Sequence, residues 1–358
     1  MPASGSAPPT LSASQMKKNI SILALSLILL ALACNRKEAE EELTIDNPEL
    51  ALSIPEGFPA LNEAFYKNKP TKYGVELGEK LFHEKRLSGN NTISCGSCHQ
   101  QSKAFSDSEA QAIGIYGRVG LRNTPPIQNL AFIKHYNWDG NKRQLEKQPL
   151  VPIITHEEMA SSIVQVMGKL QSDQAYQTLF RQAFGDSQIT PERIYSSIAQ
   201  YEYSLISANS KYDKVRRQEG VHFSAIEARG HQLFQAKCAS CHSGELFTDQ
   251  SFRNIGFPLN PSSEEAGRAR VTGIREDYMR FRVPSLRNIA YTAPYGSFGQ
   301  FKTLEEVLDY FDKGVLHADN LDPILQQAGN RIPMSTSEKE AIVSFLHTLS
   351  DEAFIGRP

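Results

Sequence analysis

The chain has 358 residues, long enough for two domains of ordinary size, each with a core of its own. Its 40% hydrophobic and 22% charged residues are ordinary globular composition. The formal net charge of −2 excludes a broadly basic nucleic-acid footprint, so partners are to be sought through local patches.

In chain order, Met16-Lys17-Lys18 opens a basic segment, and Ile20 to Ala33 is an apolar run too short to span a bilayer but suited to the core of a signal peptide. Ala31-Leu32-Ala33 is a small-residue cleavage site, followed at once by Cys34. The pattern resembles a bacterial lipoprotein signal, in which that cysteine becomes the lipidated first residue. Ala31 stands where such signals usually carry Leu, so secretion after Ala33 without a lipid is the alternative. Residues 1–34 are therefore expected to be a signal peptide. Residues 35–54, Glu-rich up to Asn47, are expected to be a tether.

Leu77, Leu81 and Phe82 mark one face of a short helix that ends in the polar loop Ser88-Gly89-Asn90-Asn91. Then comes Cys95-Gly96-Ser97-Cys98-His99, a Cys-x-x-Cys-His run, which is the attachment signature of c-type haem. Two thiols add across the haem vinyl groups, and the adjoining imidazole ligates the iron. The run returns at Cys238-Ala239-Ser240-Cys241-His242, and together the copies use every cysteine but one. A bare Cys-x-x-Cys also serves as a redox pair or half a zinc site. Two copies, each closed by His, predict two covalent haems instead. Haem is attached outside the cytoplasm, which agrees with an export signal and a periplasmic or cell-envelope location.

Between the runs, Gly114, Gly117, Gly120 and Pro125-Pro126 mark a loop-rich stretch of the kind that wraps a cofactor. Thr190-Pro191 starts a helix with Ile194, Ile198, Tyr201 and Leu205 toward a core. Lys211 to Gly220 is charged and ends in Gly, so the boundary falls there: residues 55–215 form one haem domain and 216–358 the other. Ser224 with Glu227 is a capping box opening the helix that delivers the second run. Asn260 to Arg270 is a polar loop. Thr303 with Glu306 and Ser335 with Glu338 read as two more capping boxes, and the last helix carries Ile342, Phe345, Leu346 and Leu349 on one face. Alternation of period two is scarce. The expectation is a mainly α protein, two tandem cytochrome c-like haem domains.

At this point the residues resemble a known family, the bacterial di-haem cytochrome c peroxidases and their MauG-type relatives. The segments that carry the resemblance run from about Leu77 to Leu349. They are Leu77-Gly-Glu-Lys-Leu-Phe, Arg86-Leu-Ser, the first haem run, Arg122-Asn-Thr-Pro, Trp138-Asp-Gly, the second haem run, Pro284-Ser-Leu-Arg-Asn and Thr292-Ala-Pro-Tyr. The resemblance implies peroxide chemistry at the first haem and electron uptake at the second. Electrons would come from a small cytochrome c or cupredoxin. Hydrogen peroxide would be reduced to water, or, in a MauG-like alternative, used to oxidise a partner protein or small molecule.

His99 and His242 are the proximal iron ligands. The opposite face of each iron decides its chemistry, because an open position binds peroxide and a filled one only passes electrons. Many family members hold a displaceable histidine in the loop before Arg-Asn-(Ser/Thr)-Pro; here Ile115 occupies that position, and no His lies between His99 and His135. This predicts a first haem open without prior reduction, with Tyr116 as the competing ligand. The family's distal Gln and Glu, registered from Trp138, fall on Gln148 and Glu158, with Glu157 one residue off. Trp138, the only Trp, matches the family's indole between the haems. For the second haem the family's distal position falls on Phe311, which cannot bind iron, leaving Met334 ahead of Tyr310 and His317. The family also binds one calcium ion, whose matching positions are Asn123, Thr292 and Pro294.

Overall fold

A computed structural model describes residues 45–258 and 264–356, together with Gly5. The expected signal peptide, Cys34 and the first part of the tether lie outside the described residues, as does part of the polar loop 260–270. The chain divides at Asp46, and the fold is that of the unit beginning at Asn47. Folded structure starts earlier than the tether expected to reach residue 54: the Asn47 side chain donates to the Ala183 carbonyl (2.9 Å), and Leu50 N–H to that of Pro70 (2.8 Å).

The fold is mainly helical, as the sparse alternation predicted. Helix α1 (Lys72–Phe82) begins at Thr71, whose side chain accepts from Gly74 N–H, and buries Leu77, Leu81 and Phe82 completely. The run at Cys95–Cys98 is a single turn, α2, and it is followed after a long irregular stretch by α3 (Leu150–Ile154), α4 (Ile163–Gln171) and α5 (Gln174–Phe184). Helix α6 (Pro191–Ser204) starts at Thr190 and crosses α1 so closely that a Cβ on Gly78 would overlap the Ser197 carbonyl oxygen. Tyr176, Phe180, Val166 and Leu170 of α4 and α5 complete the core behind this crossing.

Residues 211–220, where charge and Gly suggested a boundary, hold a folded helix, α7 (Lys211–Arg216). The crossing then repeats. Helix α8 (Ala225–Lys237) opens with the Ser224–Glu227 capping box and packs on α12 (Thr336–His347), with Gly230 against the Ala341 carbonyl. Between them lie β1 (Phe252–Arg253) antiparallel to β2 (Phe281–Arg282), and the short helices α9 (Ala269–Thr272), α10 (Leu304–Lys313) and α11 (Pro323–Gln327). The Ser335–Glu338 box is present. The one at Thr303 is half formed, because the Glu306 carboxylate takes the N–H of Lys302 rather than that of Thr303. Leu349 is buried beyond the end of α12 rather than on it. Finally α13 (Glu352–Ile355) returns to the first half, Phe354 packing its ring 5.4 Å from that of Phe105.

Candidate haem centres

Each Cys-x-x-Cys-His run sits at the foot of one helix crossing. In the first, the Ser97 hydroxyl accepts Ser94 N–H (2.9 Å), closing the turn, and a Cβ on Gly96 would displace the exposed His83 ring that lies against it. His99 Nδ1 lies 2.9 Å from the Phe105 carbonyl oxygen, and His242 Nδ1 lies 3.0 Å from that of Phe247. Both contacts put the ring proton on Nδ1 and leave Nε2 as the metal-binding nitrogen. Burial pushes both imidazoles below their ordinary pKa, so they are neutral and fit to ligate.

Burial also pushes the thiols up, Cys98 to about 11 and Cys238 to about 12. A redox dithiol needs the opposite shift. Among the described residues no group of three His, Cys, Asp or Glu side chains is arranged to hold a metal, so zinc does not fit either. The thiols do face space: a cavity of about 910 Å³ opens beside Cys95, Cys98 and His99, and a narrower one beside Cys238, Cys241 and His242. Trp138, Asn123 and Arg282 line both. Arg282 has no carboxylate partner among the described residues, and burial pushes its pKa down to about 10. A half-buried cation facing a cavity without an anion beside it is costly. Haem carries propionate carboxylates, so the residues present fit a haem in each cavity.

Gln148 and Glu158 line the first cavity, Gln148 with its amide 3.3 Å from Asn137 Oδ1. Burial raises the Glu158 carboxyl to about 7, with the charge of Glu157 adding to it. Glu157 itself is exposed and paired with His156 at 3.1 Å, which holds its carboxyl below the usual range. The loop before Arg122 contributes Ile113 and Gly114 to the cavity wall, while Ile115 is buried behind it, its N–H bonded to the Glu158 carbonyl (2.9 Å). Tyr116 turns outward, 73% exposed, under the Arg118 guanidinium.

At the second cavity Met334 and Phe311 both line the wall. Tyr310 does not: its hydroxyl donates to the Gly256 carbonyl and accepts Leu316 N–H. His317 is exposed. Trp138 donates its indole N–H to the Asn123 carbonyl (2.9 Å), and Asn123, Thr292 and Pro294 all border the second cavity. The Asn123 amide nitrogen is committed to the Glu109 carbonyl (2.9 Å), which leaves the side-chain oxygen to face a ligand. Arg122, next in chain, is clamped by Glu265 (2.7 Å) and Asp139 (2.8 Å). Sequence reasoning missed Arg282, and also Glu202, a buried carboxyl in the first cavity.

A mainly helical chain with two such centres, linked by one indole and one arginine, is a di-haem c-type oxidoreductase. Comparison with known proteins makes the class specific. The family model for di-haem cytochrome c peroxidase, which spans MauG, matches residues 72–220. The methylamine utilization protein MauG of Methylorubrum extorquens is 35% identical over 291 residues, covering 80% of each chain. The cytochrome c551 peroxidase of Nitrosomonas europaea is 32% identical, covering 78% of this chain and 80% of the relative. Among solved structures, a MauG-like protein associated with microbial copper homeostasis aligns with a TM-score of 0.78 at 29% identity, over 86% of this chain and 98% of that one. The diheme peroxidase BthA of Burkholderia thailandensis, at 20% identity and a TM-score of 0.71 over 87% of this chain and 94% of that one, shares the fold. The chain belongs to the di-haem cytochrome c peroxidase and MauG family, and the family implies two haem c groups.

Proposed function

We propose that this protein is a cytochrome c peroxidase that reduces hydrogen peroxide to water with electrons from a small cytochrome c or cupredoxin. The observation that carries the reading is the Glu158 carboxyl, held in the same cavity as Cys95, Cys98 and His99 with a pKa raised to about 7. A haem held by Cys95, Cys98 and His99 would supply the iron at which peroxide binds and is split. Glu158 takes the proton from the nearer peroxide oxygen and returns it to the farther one, a transfer that works best when the pKa lies near ambient pH. Gln148, anchored on Asn137, orients the peroxide beside it. Trp138, against both cavities, is the electron bridge.

Met334 would be the second protein group to hold the iron of a haem in the second cavity, and a thioether there would favour a high potential suited to uptake from a soluble carrier. Its place in the cavity wall, with Tyr310 turned away, supports this. Asn123, Thr292 and Pro294 would hold one calcium ion through oxygen atoms. The chain carries two haem domains, one built around Cys95–His99 and the other around Cys238–His242. The chain is exported to the periplasm or cell envelope by residues 1–34 and anchored through a lipid on Cys34.

The experiment is steady-state turnover of hydrogen peroxide with a reduced small cytochrome c. Catalytic oxidation of that donor, two equivalents per peroxide, is expected. The second reading is a MauG-like oxidase, favoured by the 35% identity to MauG. It gains if peroxide is consumed while no soluble donor is turned over.

A further inference from the structure

The first cavity contains a second carboxyl group, one that the proton transfer at Glu158 leaves unused. Glu202 stands on α6 one turn beyond Ile198, is only 5% exposed, and lines the cavity together with Cys95 and Glu158. Its Oε2 is buried and has no hydrogen-bond partner among the described residues.

The duplicated fold shows what a purely structural side chain looks like at this position. Gly78 meets the Ser197 carbonyl and the Tyr201 Cβ; Gly230 meets the Ala341 carbonyl and the Phe345 Cβ. The two crossings therefore share a register in which Ser197 matches Ala341, Tyr201 matches Phe345, and Glu202 matches Leu346. Leu346 lines the second cavity as Glu202 lines the first. Leu satisfies the packing at this point without penalty, whereas an unpartnered buried carboxyl costs free energy. The helix crossing does not ask for Glu.

Glu146, Tyr136 and Cys95 face Glu202 from neighbouring segments, and Tyr201 and Tyr203 flank it on α6. Burial first and the charge of Glu146 second raise the carboxyl to about 8, so at neutral pH it carries a proton. Glu146 is half-buried, accepts hydrogen bonds from Asn68 (3.2 Å) and the Tyr203 hydroxyl (3.2 Å), and is the carboxylate whose charge reaches Glu202.

We propose that Glu202 is the proton-supply residue of the first cavity, acting after Glu158 and apart from it. The inference rests on the peroxidase reading. Reduction of one peroxide to two waters takes up two electrons, from the external donor, and two protons. Glu158 only moves the peroxide's own proton between its oxygens. The two added protons have to enter the cavity from outside. Glu202 gives up its O–H proton, one at a time and through cavity water, to the oxygen being reduced. The carboxylate left behind is reprotonated from the Glu146 side before the next transfer.

The test uses the holoprotein and two variants, Glu202→Gln, which keeps the shape, and Glu202→Leu, which copies Leu346. Both should retain two haems and react with peroxide on mixing at the unmutated rate. Their kcat should fall by roughly 10-fold or more, short of the 10²–10⁴ of a group that touches the reacting atoms. The fall of kcat with rising pH through about 8 should vanish as well. Infrared spectra at pH 7 should show a protonated carboxyl band that Glu202→Gln removes. Unaltered kcat and pH profile in both variants, or no such band, would overturn the role of Glu202 alone. Absence of peroxide turnover in the unmutated protein would instead overturn the peroxidase reading. Should both variants lose haem, the unmutated pH profile decides, and a kcat flat through pH 8 counts against the inference.

Discussion

At the scale of single residues, the two carboxyl neighbours Glu157 and Glu158 both border the first cavity but differ in surroundings. Glu157 is exposed and pairs with His156, while Glu158 is more enclosed and has no such partner. Register from Trp138 alone left both possible, because adjacent residues differ only in the direction that tertiary packing gives them. Glu158→Gln should slow reaction with peroxide by roughly 10²–10⁴-fold in stopped-flow mixing and leave both haems attached. The same loss in Glu157→Gln would move the base by one position. The sign of the pH dependence follows from the raised pKa. The base acts as carboxylate, so the rate of peroxide reaction should rise with pH through about 7 and be lost below it. Cys95, Cys98, His99 and their second copies stand out in sequence, because covalent attachment would dictate types and spacing at once. Arg282 was not, since nothing local distinguishes a buried arginine from a surface one. Glu202 left a faint signal, a charge one turn after Ile198 on the face that Ile194 and Ile198 bury.

Helices and loops show why the caps were easier to read than the bends. Thr190, Ser224 and Ser335 announce their helices through side-chain chemistry that acts within one turn. The crossing glycines Gly78 and Gly230 answer to carbonyls more than a hundred residues away in sequence, and no local pattern marks them. Gly78→Ala or Gly230→Ala should force the paired helices apart and destabilise the holoprotein by about 1–3 kcal/mol in thermal unfolding. An unchanged midpoint would mean that the crossing is looser than its geometry. The loop through Ile113 and Ile115 is pinned twice to the segment carrying Glu158, by Ile115 N–H to the Glu158 carbonyl and by Arg118 to that of His156. It offers the cavity an apolar side chain and a glycine, with Tyr116 outside. The oxidised protein should therefore give a high-spin ferric signal from the first haem and react with peroxide without prior reduction. Low-spin signals from both haems, with reactivity only after reduction, would show that some side chain closes the site.

Across the whole molecule, the two halves are joined by a buried polar core rather than by a hinge. Arg287 is 1% exposed and makes two bonds to Asp213 of α7, at 2.8 and 2.9 Å. Around it, Gln128 donates to the Arg287 carbonyl, while Asn129 and Asn288 converge on Ser207. Asn129 and Asn288 are themselves duplicates, each in left-handed conformation before a short turn. The charged stretch 211–220 thus has an inner side that composition cannot reveal: the same Asp looks like linker until its partner arrives from residue 287. Burial alone would raise the Asp213 carboxyl, but the bonds and charge of Arg287 outweigh it and hold the pKa below the ordinary value. A depressed folded-state pKa means that this stabilisation is complete above the unfolded value, about 4, and drains away as pH falls below it. Removing one partner of a buried pair strands the other charge, which typically costs about 3–5 kcal/mol. Arg287→Met should lower the unfolding free energy by that much at pH 7, seen as a lower thermal midpoint. The deficit should shrink steadily as pH falls from 7, because the stranded Asp213, raised by burial with no arginine to offset it, takes up a proton above the ordinary carboxylate range while the paired one does not. A deficit that is the same at pH 7 and at pH 3.5 would mean that Arg287 acts through packing, over the rings of Phe58 and Phe247, and not through its charge.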